Sequence, residues 1–112
     1  MAAFDMNRIM RQAQKLQSEI ERVRREVAEK TVEATAGGGK VRAKVSGEKE
    51  LVELVIDPEV VDPADVEMLQ DLVIAAVNEA YRMADEMVAA EMGKVAGAFG
   101  LPVMPGLLPG RG

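Results

Sequence analysis

Within the first thirty residues, apolar side chains recur at Met6, Ile9, Ala13, Leu16, Ile20, Val23 and Val27. The intervals run 3, 4, 3, 4, 3, 4, which is one face of an α-helix sustained for three heptads, and no Gly or Pro interrupts it. A stripe of this length constrains the fold more than any other feature of the chain, because only another helix or a sheet lying alongside can bury it. Asp5 or Asn7 stands where a helix cap belongs, and the Ala, Gln, Glu and Arg residues between stripe positions favour helix.

At Thr31 the pattern changes to strict alternation. Val32, Ala34 and Ala36 alternate with Thr31, Glu33 and Thr35. Val41, Ala43 and Val45 alternate with Lys40, Arg42 and Lys44, and Val52, Leu54 and Ile56 alternate with Leu51, Glu53 and Val55. Bounded by Gly37-Gly38-Gly39 and Ser46-Gly47-Glu48, these runs predict three short strands joined by two tight hairpins, with one apolar face to be covered by helices. The stretch "IDPEVVDPADVE" (56–67) closes the sheet and opens a second helix, with Asp62 as its N-cap, Pro63 as its first residue, and Asp65 and Glu67 in its first turn. A second stripe follows at Val66, Leu69, Val73, Ala76, Ala80, Met83 and Met87, and Gly93 and Gly97 mark its decay. The segment "GAFGLPVMPGLLPGRG" is too rich in Gly and Pro for periodic structure. The expected division is one domain over residues 1–96 and a flexible tail over 97–112.

Dimensions carry the reading further. A helix over residues 6–30 is ~37 Å long, whereas strands of six or seven residues reach only ~20–23 Å. Each helix therefore overhangs the sheet while still bearing an apolar seam, and leaving that seam in water costs roughly 25 cal/mol per Å². Packing of the two helices on each other covers part of it, and a second copy covers more, so a homodimer is expected. Size argues the same way: 112 residues make one small domain, and with aromatics at only 3% the apolar area must come from Val, Leu, Ile, Ala and eight Met. The Met residues at 6, 83 and 87 lie on seam positions and read as core filler.

The stretch "TAGGGKVRAK" (35–44) resembles the end of a phosphate loop, but Ala34 stands where the first glycine should be and Val41 where the hydroxyl should follow the lysine. The residues after it alternate as a strand and offer no helix N-terminus to a phosphate, so the glycines are read as a turn. The chain has no His and no Cys. No nucleophile has an evident base, no zinc or thiolate site can form, and the carboxylates Asp71, Glu79, Asp85 and Glu86 are scattered along a helix. No catalytic residue, metal, cofactor or small-molecule substrate is expected. No apolar run approaches the ~20 residues that span a bilayer, and the lack of Cys suits a reducing compartment, so a cytoplasmic protein without membrane contact is expected.

The net charge of −5 conceals a polarity. Residues 1–44 hold ten Lys/Arg against six Asp/Glu, a balance of +4, and residues 45–112 hold four against thirteen, a balance of −9. Arg8, Lys15 and Arg22 recur every seven residues along the first helix, with Arg11 and Arg25 on the adjoining strip, all away from the seam. Lys40, Arg42 and Lys44 form a second row on the sheet face opposite the core. Two readings stand for both rows: a solvated face neutralised by Glu19, Glu21, Glu26, Glu29, Glu33 and Glu53, or a surface for a polyanion.

Three segments together, "IMRQAQKLQSEIERVRRE", "TAGGGKVRAKVSGEKELVELVIDPEVVDP" and "DVEMLQDLVIAAVNEA", resemble the YbaB/EbfC family of bacterial nucleoid-associated proteins. The likeness covers roughly residues 5–90, and Arg11 matches the basic residue that precedes QAQ in that family. The resemblance implies an α+β fold: an α-β-β-β-α protomer with a three-stranded antiparallel sheet and two long helices, in a tweezer-like homodimer. It also implies a nucleoid protein that binds double-stranded DNA with weak or variable sequence preference and affects nucleoid organisation and gene expression. On this reading Arg8, Arg11, Lys15, Arg22 and Arg25, joined by Lys40, Arg42 and Lys44, contact phosphates, and affinity falls steeply with salt. The alternative is an interaction module that docks a replication or recombination protein through its helices and the apolar Phe99, Leu101, Met104, Leu107 and Leu108.

Overall fold

The computed structural model describes residues 5–101. The elements run α1 (Met6–Glu29), β1 (Thr31–Ala36), β2 (Val41–Ser46), β3 (Leu51–Ile56), a single 3-10 turn (Pro58–Val60) and α2 (Val66–Ala98). This is the α+β, α-β-β-β-α order that the periodicities and the family resemblance imply. Of the two candidate caps for α1 it is Asp5 that serves, its Oδ1 accepting the Arg8 N–H at 3.1 Å.

The strands form an antiparallel sheet in the order β1-β2-β3. Between β1 and β2, Gly37, Gly38 and Gly39 all adopt left-handed backbone, with φ of 62°, 66° and 89°. Three successive residues in that region require glycine, which is why the run turns a corner and offers no cradle to a phosphate. The β2–β3 register shifts between Lys44 and Val45: Lys44 pairs with Glu53, but Val45 pairs with Leu51. Val52 is thus the extra residue of a bulge, and Leu51, not Val52, joins the row of Leu54 and Ile56.

The start of α2 departs from expectation. Asp62 Oδ1 accepts the Ala64 N–H at 2.9 Å, and Pro63 lies in the turn that this bond closes, ahead of the helix. Asp65 is the cap, its Oδ1 accepting the Met68 N–H at 3.2 Å. With the Asp62 side chain satisfied two residues on, only Asp65 has its carboxylate free for the unpaired N–H groups of the first turn. At the other end, α2 runs through Gly93 and Gly97 to Ala98. The 96/97 boundary therefore falls inside the helix, and residues 102–112 of the expected tail lie outside the described residues.

The 33 residues of α2, ~50 Å at 1.5 Å each, cover two surfaces in succession. Its first half lays Ala76, Ala80 and Ala84 on Ala34, Val41, Ala43 and Val45. Its second half packs Val88 and Val95 against Val23 and Val27 of α1, flanked by Leu16, Ile20, Met87, Met92 and Phe99. Of the expected stripe, Ala76 and Ala80 are fully buried and Met83 and Met87 half-buried. Val66 is exposed, and Ala84 and Val88 take innermost positions instead. An ion pair fastens the β2–β3 turn to α2, with Lys49 Nζ 2.6 Å from Asp85 Oδ1.

Two apolar surfaces are left open. A helix is ~10 Å across and strands lie ~4.8 Å apart, so one helix covers about two strands. Because α1 is diverted to pair with the second half of α2, β3 has no helix over it, and Leu51, Val52, Leu54 and Val55 are exposed. The seam of α1 is buried only from Leu16 onward; Met6, Ile9 and Met10 are 59%, 45% and 55% exposed. The molecule is a rod of 79 × 22 × 16 Å, with a radius of gyration of 20.1 Å. A compact chain of this length would have ~13 Å.

Candidate nucleic-acid interface

Between Asp5 and Glu19, α1 carries Arg8, Arg11 and Lys15 and no carboxylate. At 3.6 residues per turn these cations and Arg22 fall in a strip about 60° wide, opposite the seam. The side that α1 turns toward α2 is apolar, so the charges project into solvent. Arg8, Arg11 and Lys15 are exposed and, like Arg24 and Arg25, make no ion pair among the described residues.

Arg22 differs from its neighbours on the strip. It is clasped by Glu19 one turn before it and by Glu26 one turn after, the latter at 2.6 Å. The hydrogen bonds from Glu19 and then Glu26 raise its pKa further above the ordinary guanidinium range, and the Arg22 bond holds Glu19 below the usual carboxylate value. Two carboxylates on one guanidinium leave little field for a third anion.

The sheet row is neutralised in the same way. Lys40 closes the glycine turn and reaches Glu59, with Asp57 at 3.6 Å; Arg42 lies 3.4 Å from Glu33; Lys44 lies 3.9 Å from Glu53. Glu59, and then Asp57, raise the Lys40 pKa. Asp57 is held low chiefly by the Glu59 backbone N–H and secondarily by Lys40. The eight predicted cations thus divide: Arg8, Arg11, Lys15 and Arg25 stand without an ion-pair partner among the described residues, and Arg22, Lys40, Arg42 and Lys44 are each matched by a carboxylate.

Arg24 is a further unmatched cation that the strip pattern misses, because the helical repeat places it at the edge of the seam. It borders a shallow cleft with Arg25, Gly47, Glu48, Lys49, Val88 and Met92, where α1, the β2–β3 turn and α2 meet. The run Arg22-Val23-Arg24-Arg25 is the signal that could have found it.

The opposite end of the rod is acidic. Residues 50–81 hold nine Asp/Glu and no Lys or Arg, and they occupy β3, the 3-10 turn and the first half of α2. Arg82, the next cation, is itself held by Glu79 and Glu86. Among the described residues no cluster of three or more His, Cys, Asp or Glu is arranged to hold a metal, and no helix is long and apolar enough to cross a membrane.

Known proteins share this architecture. The crystal structure of the uncharacterized protein HP0035 from Helicobacter pylori superposes with a TM-score of 0.68 at 22% identity, covering 86% of this chain and 97% of that one. A nucleoid-associated protein of Alkaliphilus metalliredigens is 57% identical over 100 residues, 89% of this chain and 88% of the relative. One of Acetivibrio thermocellus is 58% identical over 103 residues, 92% of this chain and 89% of the relative. The model of the YbaB/EbfC DNA-binding family matches residues 1–99, nearly the whole described chain. By that match and by the identity to these relatives, the chain belongs to the YbaB/EbfC DNA-binding family.

Proposed function

We propose that this protein is a non-enzymatic, nucleoid-associated DNA-binding protein that acts as a homodimer and grips duplex DNA mainly by its phosphates. The observation that carries the reading is the strip of Arg8, Arg11 and Lys15, three exposed cations with no carboxylate between Asp5 and Glu19. Exposed cations of this kind pair with phosphates and release the counterions condensed on the duplex. Contacts of this type fix position without reading bases, which matches a weak sequence preference. The acidic half keeps the rest of the rod off the duplex, so DNA is engaged through the distal part of α1. Arg24 and Arg25 extend the contact toward the sheet, and the matched cations of the sheet row contribute less.

The dimer is supported by the bare β3 surface. Leu51, Val52, Leu54 and Val55 are exposed, an apolar area that a second copy would bury. A second reading, docking of a replication or recombination protein, rests on the exposed Leu101 at the end of the described chain.

Titration of fluorescent duplex at several salt concentrations tests the DNA reading. Log affinity is expected to fall linearly with log salt, and a variant with Arg8, Arg11 and Lys15 changed to Glu is expected to lose binding with helix content intact. Affinity that does not change with salt, or a variant that binds like wild type, removes the reading. A partner retained from nuclease-treated lysate would favour the second one.

A further inference from the structure

We infer that the acidic outer face of α2 is a docking surface for the basic strip of α1 on another copy of the chain. Copies associate head to tail through it, and duplex DNA competes with that association. Glu67 and Asp71 are exposed and make no ion pair among the described residues. At 3.6 residues per turn they fall with Ile74 in a strip about 60° wide, on the side of α2 away from Ala76 and Ala80, which lie on the sheet. No Lys or Arg stands within four residues of either carboxylate. The two like charges, one turn apart, therefore repel with no cation of their own helix to balance them.

The strip of Arg8, Arg11 and Lys15 is the counterpart, exposed and equally without a carboxylate partner among the described residues. Arg11 and Lys15 are four residues apart, as Glu67 and Asp71 are, so both pairs are spaced ~6 Å along their helices. With the two helices antiparallel, Arg11 meets Asp71 and Lys15 meets Glu67. The aliphatic stem of Arg8 then lies over Ile74, which is 57% exposed.

The two surfaces cannot meet within one protomer. Arg11 and Lys15 border a shallow cleft with Phe99, at the end of α2. From Phe99 back to Asp71 is ~42 Å along a continuous helix. The strip and the acidic face thus lie toward opposite ends of the rod, and each is satisfied only by another molecule. A contact between two different surfaces does not close on itself as a two-fold contact does, so it builds chains of copies. Exposed ion pairs are individually weak and screened by salt, so the association belongs to low salt and high protein concentration. The phosphates of a duplex offer the strip the same charge more densely, a step that rests on the proposed role of the strip in DNA binding.

Light scattering without DNA, at concentrations well above micromolar, tests the association. The mass at about 0.05 M salt is expected to exceed that at about 1 M salt by about twofold or more; salt would instead strengthen an apolar contact. Glu67→Lys with Asp71→Lys is expected to keep the high-salt mass throughout, and so is the triple variant Arg8→Glu, Arg11→Glu, Lys15→Glu. Mixing these two variants sets a basic strip against an acidic face and an acidic strip against a basic face, and growth at low salt is expected to return. A wild-type mass that does not change with salt, or a mixture that stays at the mass of its components, would overturn the inference. Duplex added to wild type at low salt is expected to disperse the chains, and chains that persist with DNA bound would overturn the competition. Absence of DNA binding would remove the DNA reading of the strip and leave the association standing, because the association is measured without DNA.

Discussion

Gly47 lies so close to Val27 that a Cβ on it would stand 2.0 Å from the Val27 carbonyl oxygen. Its N–H donates to the Lys30 carbonyl at 3.0 Å, so the end of α1 is clamped to the β2–β3 turn backbone to backbone. Gly47→Ala must push the two apart, because backbone cannot swing aside as a side-chain end can. A destabilisation of about 2–3 kcal/mol is expected, the upper range for overpacking. Thermal unfolding followed by circular dichroism should show Tm falling by roughly 10–20 °C. Gly93→Ala is the control: nothing lies within 4 Å of its added Cβ. Replacing a mid-helix glycine there should raise stability by about 0.5–1 kcal/mol.

The cations of α1 are expected to differ in what they contribute to DNA binding. Arg22 is already held by Glu19 and Glu26, whereas Arg11 has no carboxylate partner among the described residues. Arg11→Gln should reduce the slope of log affinity against log salt by about 0.9 for each phosphate that the variant leaves unneutralised. Arg22→Gln should leave that slope nearly unchanged. Salt titrations of the two single variants, run side by side, give the comparison, and equal changes would refute the division.

The bare β3 surface predicts the assembly. Leu54→Asp places a carboxylate in the middle of the exposed apolar row and leaves the buried cores of the protomer untouched. Sedimentation equilibrium at micromolar concentration should give twice the mass of one chain for wild type and the mass of one chain for the variant, with helix content unchanged. A monomeric wild-type protein would refute the dimer.

Acid should weaken the junction of α1 and α2. Glu91 receives Lys30 Nζ at 3.2 Å and Lys94 Nζ at 3.3 Å, and these hydrogen bonds, Lys30 first, hold its carboxyl below the ordinary glutamate value. With the folded value depressed, the unfolded chain takes up the proton first as pH falls. The stabilisation is therefore complete above the ordinary glutamate range and disappears as pH drops below it. Tm should decline on acidification through that range, and Glu91→Gln should make the decline shallower. Asp57, Glu19 and Glu79 are shifted in the same direction, so part of the decline should remain in the variant.

The elements of this protein are legible in its residues because their cause is local. The 3-4 spacing from Met6 to Val27, the alternation after Thr31 and three glycines needing positive φ each act over a few neighbours, and each predicts its element without knowledge of the rest. The clasp of Glu19 and Glu26 on Arg22 belongs with them, since residues three and four apart are neighbours on a helix surface. Other features depended on how the elements pack. Asp62 takes the cap by local pattern, with Asp65 in the first turn, until the turn at Pro63 occupies Asp62 and leaves the cap to Asp65. Val52 faces the helix side by simple alternation until the shift after Lys44 makes it a bulge.

Lys40 meets Glu59, and Lys49 meets Asp85, only because the turns return the chain to those places. The two apolar surfaces left open, β3 and the tip of α1, could not be told from buried ones by composition or period, for Leu54 and Val41 read alike in sequence. The tertiary structure separates them. One helix spans about two strands, and α2 ends level with Leu16, so the third strand and the last turns of α1 have nothing in the described chain to cover them.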